Sequence, residues 1–520
     1  IHEDPRVTYP YSDEAWKQID ELGQKIDAEF EAGDVRLTMG GEPTFVAIDD
    51  PDGEEWNTTA VGPTKKKLAT DLYRRLRERY GARGLVHFSQ GKWYPGEQLP
   101  RWSLNCFWRG DGEPLWKNDT LIADESHPGK ATVATAEAFL REVTVRLGLD
   151  EQSPFPAYED ALYFVWRERS LPINVNLADL EETHLDDPLE RERLRRVFSR
   201  GLTQAVGYVL PLSRDPLTER WQSSSWFLRE KRCHLILGDS PLGYRLPLDS
   251  LPWVKKTEYP YLHPADPTAP RDPLAPHEEI HEQVNPFSEA HPSYRTPTGR
   301  MSVAESPVPA PTPPEVGESA DKIARTALCA EARDGILYIF MPPVQALEHY
   351  LEIVAAVEAT AEHQRQPVLL EGYEPPKDVR LQHLRITPDP GVLEVNIHPA
   401  GNWDELVEHT THLYEQAHLA RLSAEKFMLD GRHTGTGGGN HFVLGGPTPA
   451  DSPFLRRPDL LGSLLAYWHN HPSLSYLYSG MFVGPTSQAP RVDEARNDSV
   501  YEIEIALREL ERQTKSGSGA

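Results

Sequence analysis

The chain has 520 residues, and its 54 Lys and Arg against 80 Asp and Glu leave a formal net charge of −26. That surplus opposes a broad grip on nucleic acid or on an anionic membrane face. The length supports at least one large core, and 12 Trp, 20 Tyr and 15 Phe supply burying groups, yet a hydrophobic fraction of 38% implies that some segment dilutes the average.

In chain order, 35–39 alternates as a half-buried strand and runs into the turn-rich Gly40-Gly41-Glu42-Pro43-Thr44-Phe45. A helix follows over 64–80. Leu68, Leu72, Leu76 and Tyr80 recur four apart over a basic face, with Pro63 just ahead and Gly81 just past the end. A second helix over 130–147 carries Phe139, Val143 and Leu147 at the same spacing. Between them lies a loop-like aromatic block from Lys92 to Trp116. Its Trp93, Tyr94, Trp102, Phe107, Trp108 and Trp116 read as core rather than as a substrate wall.

The dilution sits in the middle, where Pro252 to Pro314 holds 15 of the 47 prolines. Such a stretch closes few ladders, so 254–320 reads as a long, irregular linker. Beyond it come a strand over 336–341, a helix over 344–363, strands over 367–371 and 392–397, and helices over 403–421 and 458–470. Along 391–398, Glu394, Asn396 and His398 share one face about 7 Å apart. The element order, with antiparallel-capable neighbours and no β-α-β-α rhythm, points to the α+β class. The expected organisation is an N-terminal half over 1–253, the linker, a C-terminal half over 321–515 and a linker-like tail over 516–520.

Cys106, Cys233 and Cys329 are far apart with no C-x-x-C spacing, which argues against a disulfide framework and suits a reducing, cytoplasmic setting. No apolar run reaches the roughly 18 residues that a membrane span needs. The start at Ile1 and the tail composition suggest a piece of a longer polypeptide.

The strongest chemical signal is 430–441, DGRHTGTGGGNH, with five glycines in nine positions. Such a backbone can turn several N–H groups toward one anion, and it lacks both the P-loop lysine and a dinucleotide fingerprint. Gly435, Gly437, Gly438, Gly439, Asn440 and His441 are candidate nucleotide contacts, and His433 is a catalytic candidate. Glu42, Glu371 and Glu394 are candidate ligands of a hard cation such as Mg²⁺, with His441. Arg491 and Arg496 are candidate clamps for a phosphoryl charge, or else bridge Asp493 and Glu494.

The motifs MGGEPTF (39–45), GKWYPG (91–96), LPLDSLPW (246–253), EVNIHP (394–399), HTGTGGGNH (433–441) and GPTSQAPR (484–491) resemble the bacterial amidoligase family built on domain of unknown function 2126. The resemblance covers nearly the whole chain. It implies a glutamine synthetase-like, mostly antiparallel sheet with flanking helices, split by the Pro-rich segment. It also implies a carboxylate–amine ligase using ATP and Mg²⁺ on a peptide or amino-acid-like substrate, in a protein with an upstream transglutaminase-like domain. In that superfamily a glycine-rich loop ending in His serves ATP and metal, as Gly437 to His441 would here, and Glu394 is similar to a metal-binding strand carboxylate. The superfamily's opening E-x-E stands here as Glu42-Pro43-Thr44, with Thr in place of a second carboxylate. Two rival readings are a non-catalytic peptide-binding module and a cysteine nucleophile. For the latter, Cys233 and His234 are adjacent on a strand and face opposite sides.

Overall fold

A computed structural model describes residues 11–92, 101–127, 129–159, 203–215, 218–226, 232–235, 253–259, 261, 263, 266–288, 318–427, 433–439, 441–471 and 498–516. The chain packs as two compact units: one is the chain up to Ala82, Asp266–Pro270 and the chain from Gln382 on, the other Arg83–Ala265 and Arg271–Leu381. Both combine sheets with flanking helices, as the α+β expectation has it.

The Arg83–Ala265 and Arg271–Leu381 unit carries eight strands in the order Trp102–Arg109, Leu85–Gln90, Val368–Gly372, Ile336–Met341, Ala327–Arg333, Gly207–Pro211, Phe155–Glu159 and Cys233–Leu235. All six residues of Ile336–Met341 are buried, a continuous apolar strand of the kind covered on both faces. This strand, the helix Leu347–Gln364 and the strand Val368–Gly372 form a parallel β-α-β crossing. The sequence reading expects antiparallel neighbours here. Strand direction depends on where the helix returns the chain, which periodicity does not encode. The helices Val133–Arg146 and Leu347–Gln364 share one core with Leu337, Ile339 and Met341.

Two further expectations change in this unit. The aromatic block holds a strand, Trp102–Arg109, paired with Leu85–Gln90 from Leu85 opposite Phe107 to Gln90 opposite Trp102. Trp102, Phe107 and Trp116 are buried as expected of a core, while Trp93 and Tyr94 lie outside the described residues. The strand is masked in the sequence because its polar residues are also buried. Ser103 Oγ donates to Asn105 Oδ1 at 2.9 Å, and Asn105 Nδ2 donates to Glu374 at 3.2 Å. The Pro-rich segment is irregular in much of its described length but includes a helix, His277–Gln283, flanked by buried Leu274 and Val284 in the core. Tertiary burial of one helical face overrides the composition.

In the other unit the strands Leu422–Ser423, Thr44–Ala47, Val392–Asn396 and Leu381–Asp389 lie side by side, all antiparallel. A separate ribbon pairs Thr38–Glu42 with His441–Gly445, and another pairs Glu425–Phe427 with His433–Gly435. Thr38–Glu42 therefore runs three residues past the expected strand and takes Gly40 and Gly41 into the ladder. A partner strand about 400 positions away supplies hydrogen bonds that local sequence cannot reveal. The helix Pro63–Tyr80 buries Lys65, Ala69, Leu72, Tyr73 and Leu76, so its inner stripe includes a cation. Lys65 Nζ donates to the carbonyls of Thr59 at 2.8 Å, Ala60 at 3.0 Å and Asp389 at 2.6 Å. Three such bonds offset the desolvation that otherwise keeps lysine at the surface.

The helix Asp13–Ala32 docks on the helix Trp403–Leu419 through Trp403, whose Nε1–H donates to Asp20 at 2.9 Å and whose backbone N–H donates to Asp27 at 2.7 Å. The ring lies directly over Gly23, where an added Cβ would stand 2.2 Å from it. In an open helix Gly→Ala gains about 0.5–1 kcal/mol. Here Gly23→Ala is expected to lose about 1–3 kcal/mol through overpacking against a tryptophan held through both its ring N–H and its backbone N–H, read as a lower midpoint in chemical denaturation.

Candidate active site at Glu42 and the glycine-rich loop

The ribbon's register sets Glu42 opposite His441. Glu42 Oε2 lies 2.9 Å from His441 Nδ1, and Asn396 Nδ2 donates to Glu42 Oε1 at 3.1 Å. Asn396 closes the strand Val392–Asn396, two positions after Glu394 and on the same face. Glu394 is buried, sits opposite Thr44 in the ladder, and accepts from Thr387 Oγ1 at 3.4 Å. An acid, an imidazole, an amide and a second, deeper acid thus come from three strands of one unit.

The glycine-rich loop is fastened by a threonine pair. Thr44 Oγ1 and Thr436 Oγ1 are 2.6 Å apart and buried, and Gly438 N–H donates to Thr436 Oγ1 at 3.3 Å. Thr44 occupies the position where the resemblance expects a second carboxylate, and here its hydroxyl holds the loop instead. Gly437 has φ +91°, a conformation that side chains rarely adopt, and a Cβ at Gly438 would press on Thr44 and Val392 at 3.0 Å. Among the described residues, nothing lies within 4 Å of the Cβ positions of Gly435 and Gly437. One end of the loop is clamped on the sheet while its other glycines keep an open side.

The family model described as "Putative amidoligase enzyme (DUF2126)" matches residues 1–518. The chain belongs to this family. Membership carries a ligase-like enzymatic role at that coarse level. No curated protein and no solved structure matches the chain.

For this member of the family the remaining candidates are placed as follows. His433 opens a strand of the small ribbon, and Gly439 ends the described part of the loop. Asn440, Arg491 and Arg496 lie outside the described residues. Glu371 belongs to the other unit, where Arg333 donates to it at 2.5 Å and also bonds Glu331 at 3.1 Å. The three cysteines are buried and form no disulfide, and burial pushes the Cys233 thiol up to about 12, which works against Cys233 as a thiolate nucleophile. Among the described residues no helix is long and apolar enough to cross a membrane.

The sequence reading passes over one cluster, His277, His281 and Glu358, in the Arg83–Ala265 and Arg271–Leu381 unit. Burial works against ionising Glu358, but hydrogen bonds from both imidazoles hold its carboxyl down to about 2. The pattern His-Glu-Glu-Ile-His is the signal that could have found it, hidden by the surrounding prolines.

His398 lies just past the strand end, stacked edge-on against Tyr80 at 4.8 Å and tilted against His409 at 4.2 Å. Burial, with the nearby charges of His409 and His383, pushes its imidazole down to about 3. The unfolded chain takes up that proton near the ordinary pKa of about 6.5, so this contribution is fully present above it and is lost as pH falls toward 3. Stability is expected to drop on the order of 1 kcal/mol per pH unit between about pH 6.5 and 5. His398→Phe, which keeps a ring against Tyr80, is expected to flatten that slope in urea titrations at successive pH values. For the loop clamp, Thr44→Val and Thr436→Val are each expected to cost about 1–2 kcal/mol, and the double variant about 1 kcal/mol less than their sum, because both unpaired hydroxyls are then gone.

Proposed function

We propose that the protein is a carboxylate–amine ligase of glutamine synthetase-like type that uses ATP and Mg²⁺ on a peptide or amino-acid-like substrate. The observation that carries this reading is the Glu42–His441 pair at the foot of a glycine-rich loop clamped to the sheet. Family membership supports amide-bond formation as the reaction class. In that reaction the γ-phosphoryl group of ATP passes to a carboxylate oxygen with loss of ADP, and the amine then displaces phosphate to leave an amide and a released proton.

The donor set suits a hard cation. Glu42 and Glu394 offer carboxylate oxygens from adjacent parts of one unit, and His441 engages Glu42 through Nδ1, which leaves Nε2 for a ligand. Glu371, already ion-paired with Arg333 in its own unit, is left out of this set. A bound Mg²⁺ would neutralise phosphate charge and orient the γ-phosphoryl group. The protein's own contribution is positional. The Asn396 amide fixes the Glu42 carboxylate, the Glu42 carboxylate fixes the His441 ring, and the threonine pair sets where the loop N–H groups start.

Isothermal titration of the full chain with ATP tests this. Binding is expected only with Mg²⁺ present, and Glu42→Gln or His441→Ala is expected to weaken it at least tenfold. His441 is half exposed, so its loss leaves the fold intact. Absence of Mg-ATP binding by the folded wild-type chain overturns the reading and favours a non-catalytic binding module.

A further inference from the structure

The helix His277–Gln283 presents His277 and His281 four residues apart, hence on one face, toward Glu358 in the middle of the helix Leu347–Gln364. Both imidazoles reach the same carboxylate oxygen. His277 Nε2 lies 3.0 Å and His281 Nε2 3.1 Å from Glu358 Oε2, and the two rings stack 4.1 Å apart. The other oxygen is already taken, since the Lys117 backbone N–H donates to Glu358 Oε1 at 2.5 Å. His277 and Glu358 are buried, and His281 reaches the surface, where it lines a pocket of about 300 Å³ with Arg146, Glu282, Asn285, Glu362 and His363.

This is the layout of a three-ligand transition-metal centre. Zn²⁺ binds imidazole nitrogen and carboxylate oxygen at about 2.0–2.2 Å, so neighbouring ligand atoms around a tetrahedral ion lie about 3.3 Å apart. The three ligand atoms here all lie within 4.8 Å of one another, and two of the three edges measure 3.0 and 3.1 Å. Opening the two carboxylate–imidazole edges by a few tenths of an ångström brings them to that spacing. The Lys117 N–H acts as the outer partner that orients a ligating carboxylate and makes it monodentate. Two nitrogens and one oxygen suit a borderline ion such as Zn²⁺ better than Mg²⁺ or Ca²⁺, which take oxygen.

We propose that His277, His281 and Glu358 bind one Zn²⁺-class divalent transition ion. Each histidine then carries its proton on Nδ1 and offers Nε2 to the metal, so two imidazole hydrogen bonds to Glu358 are exchanged for three metal–ligand bonds. The ion ties the described α-helix of the Pro-rich stretch to the helix Leu347–Gln364. Glu278, the residue beside the first histidine, is 87% exposed and bridges Lys117 at 3.6 Å, so it does not stand as the inward base of a zinc hydrolase, and a structural task fits the site better. The proposal uses none of the residues of the ligase reading.

The test is titration of the chelator-treated full chain with Co²⁺ and Zn²⁺ alone. Expected are one equivalent bound per chain, the intense visible bands of low-symmetry four-coordinate Co²⁺, bleaching of those bands by Zn²⁺, and a higher melting midpoint with Zn²⁺. His281→Ala removes the part-exposed ligand with least harm to folding. It is expected to lower affinity about a hundredfold and to abolish the midpoint shift, and Glu358→Gln to do the same, while Glu42→Gln leaves both unchanged. No Co²⁺ bands in the folded wild type overturns the proposal. So does unchanged affinity in folded His281→Ala, which would put the ion elsewhere.

Discussion

The candidate site depends on one ladder, the pairing of Thr38–Glu42 with His441–Gly445. It joins residues 399 positions apart and brings His441 Nδ1 against the Glu42 carboxylate. Loop-closure entropy grows slowly with length, by about 0.6 kcal/mol per doubling, so so distant a pairing costs little more than a nearer one. Five paired positions and the abutting sheet supply the compensation. Neither segment carries the site alone. The acid comes from one end of the chain's described length, the imidazole from near the other, and their register fixes which side chain meets which.

The glycine-rich loop follows from the same ladder. Its last described glycine, Gly439, stands two residues before His441, where the strand begins, and Thr436 near its middle is bound to Thr44 just beyond Glu42. The loop is therefore held at two places by the neighbours of Glu42, and Gly435 and Gly437 are the positions that no described residue crowds. A loop that is loose throughout loses entropy when it wraps an anion, whereas one held at intervals has part of that ordering already built in. The Thr44 hydroxyl adds stiffness to the loop through its contact with Thr436.

Elements with strong local periodicity were legible in the sequence. The helices Pro63–Tyr80, Val133–Arg146, Leu347–Gln364, Trp403–Leu419 and Pro458–Asn470 fall within a few residues of expectation. What was not legible depends on partners far away in sequence. Trp102–Arg109 looks like a loop until Ser103 and Asn105 bond each other, and Lys65 looks like a surface cation until three carbonyls surround it. The types of residue in the candidate site were readable because Glu42 and His441 stand beside unusual glycines. Their contact was not, since it requires the long-range register. His277 and His281 were hidden for the opposite reason: composition averaged over dozens of residues drowned a two-residue pattern at helical spacing.

The buried and half-buried acids can be sorted by what neutralises them. In a medium of low dielectric constant an ionised carboxylate needs a partner, and the partner's chemistry decides what else the site can do. Glu371 and Glu331 share Arg333, a guanidinium that stays protonated and has no lone pair to give a metal. Such a pair is fixed. Glu358 is instead held by two imidazoles and Glu42 by one, beside an amide. Imidazole can surrender its proton and turn the same nitrogen from donor into ligand, so a carboxylate–imidazole contact at about 3 Å becomes two ligands of one cation with little movement. With a net charge of −26 the chain has carboxylates in excess, and carboxylates alone do not mark a site. Histidine meets carboxylate at several places, but at Glu42 and Glu358 the acid is also held by an amide or backbone N–H, so its orientation is set on both sides.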